Sequence, residues 1–215
     1  MAGHAHPSNP LALAVLALLF ERPMHPYEMG VILRQRHKEE SIKLRYGSLY
    51  TVIDLLLRRG FILARETARD GKRPERTVYE ITPAGRDELH AWMTDLIGEP
   101  AKEYLQFEAA LCLLPVLPPD EALVLLRQRL VRLHAKIGEI EALHSAPQMA
   151  DFPPLFLIET EYRLALLKAE RHFVADLVKR IEQGWGPVDL WRGLHDDREA
   201  TLAKLYKEYG GAPMS

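Results

Sequence analysis

The stretch LRYGSLYTVIDLLLRRGFILARETARDGKRPERTVYEITPAG, residues 44–85, decides how this chain is read. Its signals predict a helix, a strand, a basic turn, a second strand and the start of another helix. At about 100° per residue, Leu49, Val52, Ile53, Leu56 and Leu57 fall on one arc of the first helix. Tyr50, Thr51, Asp54 and Arg58 fall on the other, with Ser48 near the N-terminal end. Gly60 stops the helix, because glycine enters the left-handed conformation without steric cost. Residues 61–69 alternate loosely up to Asp70-Gly71, a strong turn signal. Residues 76–82 alternate again, with Val78 and Glu80 on one side and Thr77, Tyr79 and Ile81 on the other. Thr82 can cap a further helix and Pro83 fits its first position. That helix carries Leu89, Trp92, Met93, Leu96 and Ile97 and is expected to run close to Gly98.

Helix, hairpin and helix in this order form the DNA-facing half of a winged helix-turn-helix. A helix in a major groove needs a polar face whose early residues reach base edges. Ser48, Tyr50, Thr51 and Asp54 are the candidates for that role. The hairpin tip ARDGKRPER, residues 68–76, sets Arg69, Lys72, Arg73 and Arg76 against Asp70 and Glu75. Such a tip suits phosphate contact or an arginine inserted in a minor groove. Lys43, Arg45, Arg58, Lys72 and Arg73 are the candidates for phosphate. Two plainer readings stand beside these. The helix alone reads equally as an amphipathic helix with a solvated side, and the charged hairpin as an edge guarded against sheet aggregation. The two elements together favour phosphate binding.

Upstream, Asn9-Pro10 reads as a helix start and residues 11–20 as a deeply buried first helix ended by Arg22-Pro23. That apolar run is too short to span a bilayer. The opening MAGHAHPSNP has neither Lys nor Arg, so no secretory signal is expected. Residues 1–10 read as a flexible leader, in which His4 and His6 either touch a metal or, on the plainer and favoured reading, do nothing. A second helix is expected over residues 25–37; in a winged helix it crosses the DNA backbone, and its N-terminus can hold a phosphate. Tyr27 near that end either donates to a phosphate or packs on the first helix with its hydroxyl outward.

The net charge of −2 argues against attraction of the whole protein to nucleic acid, but its distribution says more. Residues 34–76 hold 12 Lys/Arg against 6 Asp/Glu, an excess of +6. Residues 101–215 hold 14 against 17, a balance of −3. Local charge sets the potential that phosphates meet. Cys112 is the only cysteine, which excludes an intrachain disulfide and suggests a reducing, cytoplasmic compartment. Its apolar setting, EAALCLLPVL, predicts a buried structural thiol.

This first half of the chain, over residues 11–98, resembles the PadR family of bacterial transcriptional regulators. The resemblance is carried by LALAVLALLFERPMHPYEM (11–29), YGSLYTVIDLLLRRGFI (46–62), RETARDGKRPERTVYEIT (65–82) and TPAGRDEL (82–89). His25-Pro26-Tyr27-Glu28 looks like the family's short helix-opening motif, which often has Gly where this chain has Pro26. Gly47-Ser48-Leu49-Tyr50 looks like the motif that opens its recognition helix. Many members have proline near Tyr46 and after the motif's tyrosine, where this chain has Thr51. The second half resembles the family branch with a long helical C-terminal region. The resemblance implies a homodimer on a palindromic double-stranded operator, usually a repressor released by a small molecule.

A domain boundary is expected between Gly98 and Tyr104, giving a DNA-binding domain over 11–98 and a helical domain for dimerisation and effector sensing over 103–209. Residues 103–114 are apolar enough for a helix packed on both sides. In the next helix, Leu123, Leu126, Leu130, Leu133, Ile137 and Ile140 alternate by three and four, the a/d repeat of a coiled-coil seam. A second long helix, from about residue 155 to 183, carries Ile158, Tyr162, Leu166, Ala169, Phe173 and Leu177. Two such helices in a small domain read as a dimer interface, which would include Tyr162, Leu166 and Phe173; the alternative is an intramolecular bundle closed by the last helix, near residues 196–209. Trp185 and Trp191 either stack on a small aromatic or drug-like effector or anchor a chain end to an apolar surface. His195-Asp196-Asp197 reads as a helix cap ahead of a weak metal site.

The fold expected is mainly α with a small β-hairpin. No glycine-rich phosphate loop, zinc-ligand pair or nucleophile elbow appears, so no enzyme, metal, cofactor or membrane partner is expected. The leading function is a homodimeric, ligand-responsive repressor. A winged-helix protein-interaction module without DNA, and an effector-sequestering carrier, are the alternatives.

Overall fold

The computed structural model describes residue 6 and residues 9–42, 45–65, 77–145 and 153–209. The chain divides into two compact units, residues 1–103 and 104–215. The fold is mainly helical with one small antiparallel sheet.

In the first unit, local signals start and stop each helix. Helix α1 (Pro10–Glu21) is capped by Asn9, whose side chain accepts from the Leu11 N–H at 3.0 Å. Helix α2 (Pro26–Gln35) is capped by His25, whose Nδ1 accepts from the Tyr27 N–H at 3.1 Å. Proline holds the first helical position in both. A short 3-10 turn (Lys38–Glu40) follows His37, which has a left-handed φ of 53°. Helix α3 (Tyr46–Arg58) ends before Gly60, at φ 70°. Strands β1 (Ile62–Arg65) and β2 (Val78–Ile81) pair antiparallel, Ile62 opposite Ile81 and Arg65 opposite Val78. Met24 adds an isolated bridge, exchanging both backbone hydrogen bonds with Tyr79 at 3.1 Å.

Helix α4 (Pro83–Gly98) closes the unit. The Thr82 hydroxyl accepts from the Gly85 N–H at 3.0 Å and donates to the Gly60 carbonyl at 2.7 Å. One side chain thus ties the exit of α3 to the start of α4. The core is the apolar run of α1 (Leu11, Val15, Leu16, Leu19) against Met29 and Leu33 of α2, with Leu49, Ile53 and Leu56 of α3. Ile62, Ile81 and Trp92 complete it. Three helices, a two-stranded wing and a closing helix make this unit a winged helix-turn-helix.

His6 departs from expectation. Its ring lies parallel to Trp92, and its two nitrogens meet Glu88 and Asp95 at 2.9 Å each. Glu88 is buried, and a buried carboxylate requires such a partner. His4 lies outside the described residues.

The second unit is helical. It comprises α5 (Gln106–Cys112), a 3-10 turn (Leu114–Val116), α6 (Pro119–His144), a 3-10 turn (Pro154–Phe156), α7 (Ile158–Glu182), α8 (Pro187–Asp196) and α9 (Arg198–Tyr209). The ion pairs Arg127–Glu182, Arg129–Glu170 and Lys168–Glu141 show α6 and α7 to be antiparallel. Ala122 and Leu126 pack with Val174, Leu177, Val178, Ile181, Val188 and Trp191. Asp197 caps α9, its Oδ1 accepting from the Ala200 N–H at 3.1 Å.

Three expectations change here. The α6 seam is covered within the chain: Leu126, Leu133, Ile137 and Ile140 are buried, and Leu123 and Leu130 half-buried, with α7 as the principal neighbour. A heptad stripe fits a helix of its own chain as well as one from a copy, and here its own α7 takes the place. The helix expected over 103–114 shortens to α5 and has no fully buried residue. Cys112 at its end is exposed, because α5 packs on one side only, through Phe107 and Leu111.

Candidate nucleic-acid interface

The side of α3 opposite the core is the candidate surface. Leu49, Val52, Ile53 and Leu56 are buried, so the helix cannot rotate without exposing them. Tyr50, Thr51, Asp54 and Arg58 consequently stand exposed, and Ser48 half-buried. The Thr51 hydroxyl donates to the Gly47 carbonyl at 2.9 Å, the common i−4 bond of a helical threonine. Its donor is thereby used, leaving the methyl group and an acceptor lone pair facing outward. Arg58 Nε donates to the Asp54 carbonyl at 3.3 Å, laying that guanidinium along the helix.

The N-terminus of α3 has no side-chain cap. Arg45 holds the cap position in extended conformation, and a Cβ at Gly47 would meet nothing within 4 Å. Arg45, Gly47, Ser48 and Thr51 line a shallow concavity of about 470 Å³ with Asn9 and Val52. Uncapped helical N–H groups beside an arginine suit an anion such as a phosphate. Tyr27, in the first turn of α2, is 59% exposed. Lys43, Lys72 and Arg73, with the rest of the hairpin tip, lie outside the described residues.

The charge count overstates the field. Arg36 is bound to Glu21, with Nη2 to Oε2 at 2.8 Å, and holds that carboxyl below its usual range. Arg65 pairs with Glu80 across the wing at 2.5 Å, and Arg34 lies 3.9 Å from Glu39. Arg45 keeps its charge unpaired among the described residues.

One neighbour of this surface escaped the sequence reading. Tyr79 of β2 is partly buried, and burial raises its phenol above the ordinary value, with Asp54 and Tyr50 adding to the shift. Tyr79 packs against the core of this unit, and the wing meets α3 through β1, a placement that alternation along one strand could not reveal.

The remaining candidates lie in the second unit. Tyr162, Leu166 and Phe173 are 66%, 53% and 44% exposed and share the outer side of α7 with Ile158. Trp191 is buried, and its Nε1 donates to the Leu117 carbonyl at 2.7 Å, so it anchors α8 and is no effector platform. Trp185 is partly exposed, with the Arg180 guanidinium 5.3 Å from its ring centre. Among the described residues no three His, Cys, Asp or Glu groups converge as metal ligands, and no helix is long and apolar enough to cross a membrane.

A winged helix with an open recognition-helix face is the geometry with which helix-turn-helix regulators enter a major groove. Residues 15–91 match the model of the transcriptional regulator PadR-like family. The negative transcriptional regulator PadR of Bacillus subtilis is 24% identical over 172 residues, 77% of this chain and 92% of that protein. The structure of Bacillus subtilis PadR in complex with operator DNA superposes with a TM-score of 0.59 at 21% identity, over 80% of this chain and 99% of that one. The same protein in complex with p-coumaric acid gives 0.62 at 20% identity, over 80% and 98%. The Vibrio cholerae virulence activator AphA gives 0.59 at 15% identity, over 80% and 98%. Over residues 15–91 the chain is thus similar to the PadR-like family of transcriptional regulators.

Proposed function

We propose that this protein is a cytoplasmic, homodimeric repressor that places two copies of α3 in successive major grooves of a palindromic operator and is released by a small molecule. The observation that carries this reading is the outward arc of α3: Tyr50, Thr51, Asp54 and Arg58 held exposed by four buried apolar residues behind them, with Arg45, unpaired among the described residues, at the uncapped N-terminus. Ser48, Tyr50, Thr51 and Asp54 face bases. Arg45, Arg58 and Tyr27 meet phosphate, joined by Lys43, Lys72 and Arg73. Likeness to a regulator solved on its operator, and named a negative regulator, supports both the duplex and the sign.

Homodimerisation is supported by the apolar side of α7 at Ile158, Tyr162, Leu166 and Phe173, a stripe too large to leave in water at no cost. Two α3 helices related by a twofold axis must sit about 34 Å apart to enter successive grooves. A ligand releases the operator if it binds another spacing better. The test is selection of bound duplexes from fragmented genomic DNA. A recovered palindrome with half-sites one helical turn apart supports the reading. Recovery of no common sequence refutes it.

A further inference from the structure

Thr51, Asp54 and Arg58 occupy the centre of the outward arc of α3. At about 100° per residue, Asp54 lies about 60° from Thr51 and about 40° from Arg58, and all three face away from buried Leu49, Val52, Ile53 and Leu56. The Arg58 Nε donates to the Asp54 backbone carbonyl at 3.3 Å and not to the carboxylate. Among the described residues the Asp54 carboxylate has no hydrogen-bond or ion-pair partner. The Thr51 hydroxyl donates to the Gly47 carbonyl at 2.9 Å, which leaves its methyl group as the free arm of the side chain. A lone carboxylate is costly on a surface that approaches phosphates, because like charges repel. It offers acceptors only. In a major groove the donors are the amino groups of cytosine and adenine. The adenine group stands between two acceptors, its own N7 and O4 of the paired thymine, and both repel a carboxylate. The cytosine group has such a neighbour on one side only, O6 of the paired guanine.

We infer that Asp54 and Thr51 set the base preference of each half-site: Asp54 accepts from the N4 amino group of a cytosine, and the Thr51 methyl packs on the C5-methyl of a neighbouring thymine. This rests on the proposed function, whose duplex it specifies. Three residues rise about 4.5 Å along a helix, on the scale of the 3.4 Å or so between base pairs, so the two side chains reach neighbouring pairs. Asp54 acts in two directions. At the matching pair it gains a charge-assisted hydrogen bond. At any other pair its charge stays unpaired among phosphates, so the wrong sequence is penalised as well as the right one favoured. Thr51 brings no charge, and its contribution is apolar contact with one methyl group.

The test uses the full chain and the duplex recovered by genomic selection, with fluorescence anisotropy as readout. The comparison duplexes carry each base pair in turn at each half-site position, and one is scrambled. Wild type is expected to prefer C·G about tenfold over the other pairs at one position. Asp54→Ala is expected to bring that preference below about twofold and to bind the scrambled duplex about threefold tighter than wild type does. Replacing thymines one at a time by deoxyuridine, which lacks only the C5-methyl, is expected to weaken wild type about threefold at one position. Thr51→Val keeps the methyl without the hydroxyl and should retain that sensitivity. Thr51→Ser keeps the hydroxyl without the methyl and should lose it. An Asp54→Ala protein that keeps the cytosine preference, or that weakens on both duplexes alike, overturns the role of Asp54. Deoxyuridine sensitivity that is absent from wild type, or that survives in Thr51→Ser, overturns the role of Thr51. Equal wild-type affinity for the recovered and scrambled duplexes refutes the operator reading and this inference together. Wild-type discrimination with an unaltered preference in Asp54→Ala refutes the inference alone.

Discussion

The backbone of Gly85 passes so close to Phe61 that a Cβ at position 85 would stand 2.0 Å from the Phe61 carbonyl oxygen. The same Cβ would lie 2.9 Å from Ile81 Cγ1. Here the entry to β1, the end of β2 and the first turn of α4 share one space, with Thr82 bonded to all sides. Gly85→Ala must push backbone apart, and is expected to destabilise the protein by about 3 kcal/mol. Gly138→Ala, in the interior of α6 with open space at its Cβ, is expected to stabilise by about 1 kcal/mol. Urea unfolding followed by circular dichroism checks both, and equal midpoints for the two variants would contradict the packing described.

His6 predicts a pH dependence. Its hydrogen bonds to Glu88 and then Asp95 raise its pKa above 6.5 in the folded state. A raised folded-state value means that the imidazolium contributes stability fully below 6.5 and loses it as pH rises through the folded pKa. The stability difference between wild type and His6→Gln is therefore largest near pH 6 and shrinks on going alkaline. Thermal melts at a series of pH values measure it, and a difference that grows with pH would remove the His6–Glu88 pair from the account.

The two apolar stripes of the second unit predict opposite outcomes. Leu133 is buried within the chain, so Leu133→Asp places a carboxylate where nothing pairs with it, costing more than about 3 kcal/mol and unfolding the unit. Leu166 is half exposed, so Leu166→Asp leaves the fold intact and dissociates the proposed dimer. Sedimentation equilibrium with circular dichroism separates the cases. A folded Leu166→Asp protein that stays dimeric moves the interface elsewhere.

Trp191→Phe removes the donor to Leu117 and leaves a carbonyl unsatisfied, at an expected cost of about 1–2 kcal/mol. Trp185→Phe, on a partly exposed ring, is expected to change stability by less than about 0.5 kcal/mol. Urea midpoints for the two variants decide the ranking.

What the sequence made legible, and what it did not, follows from the range of each interaction. Asn9-Pro10, Gly60 and Thr82-Pro83 each act within a few residues, and each starts or stops an element where their chemistry requires. The polar arc of α3 was legible for the same reason, because helical periodicity alone separates Tyr50 and Asp54 from Leu49 and Ile53. His6 was opaque because its partners lie more than 80 residues away. The α6 stripe was legible as a stripe, but periodicity does not say whose helix covers it. Cys112 shows the same limit, since apolar neighbours in sequence do not guarantee neighbours in space. Trp191 needed the Leu117 carbonyl, supplied by another turn of the fold.

The most direct measurement is fluorescence anisotropy of the recovered duplex against a scrambled duplex, titrated with wild type, Thr51→Ala and Arg45→Ala across a salt series. Reading by paired α3 helices predicts two chains per selected duplex. Thr51→Ala should alter the preference between sequences, and Arg45→Ala should weaken both duplexes alike while lowering the salt slope by about one unit. Equal wild-type affinity for selected and scrambled duplexes, or one chain per site, would contradict it.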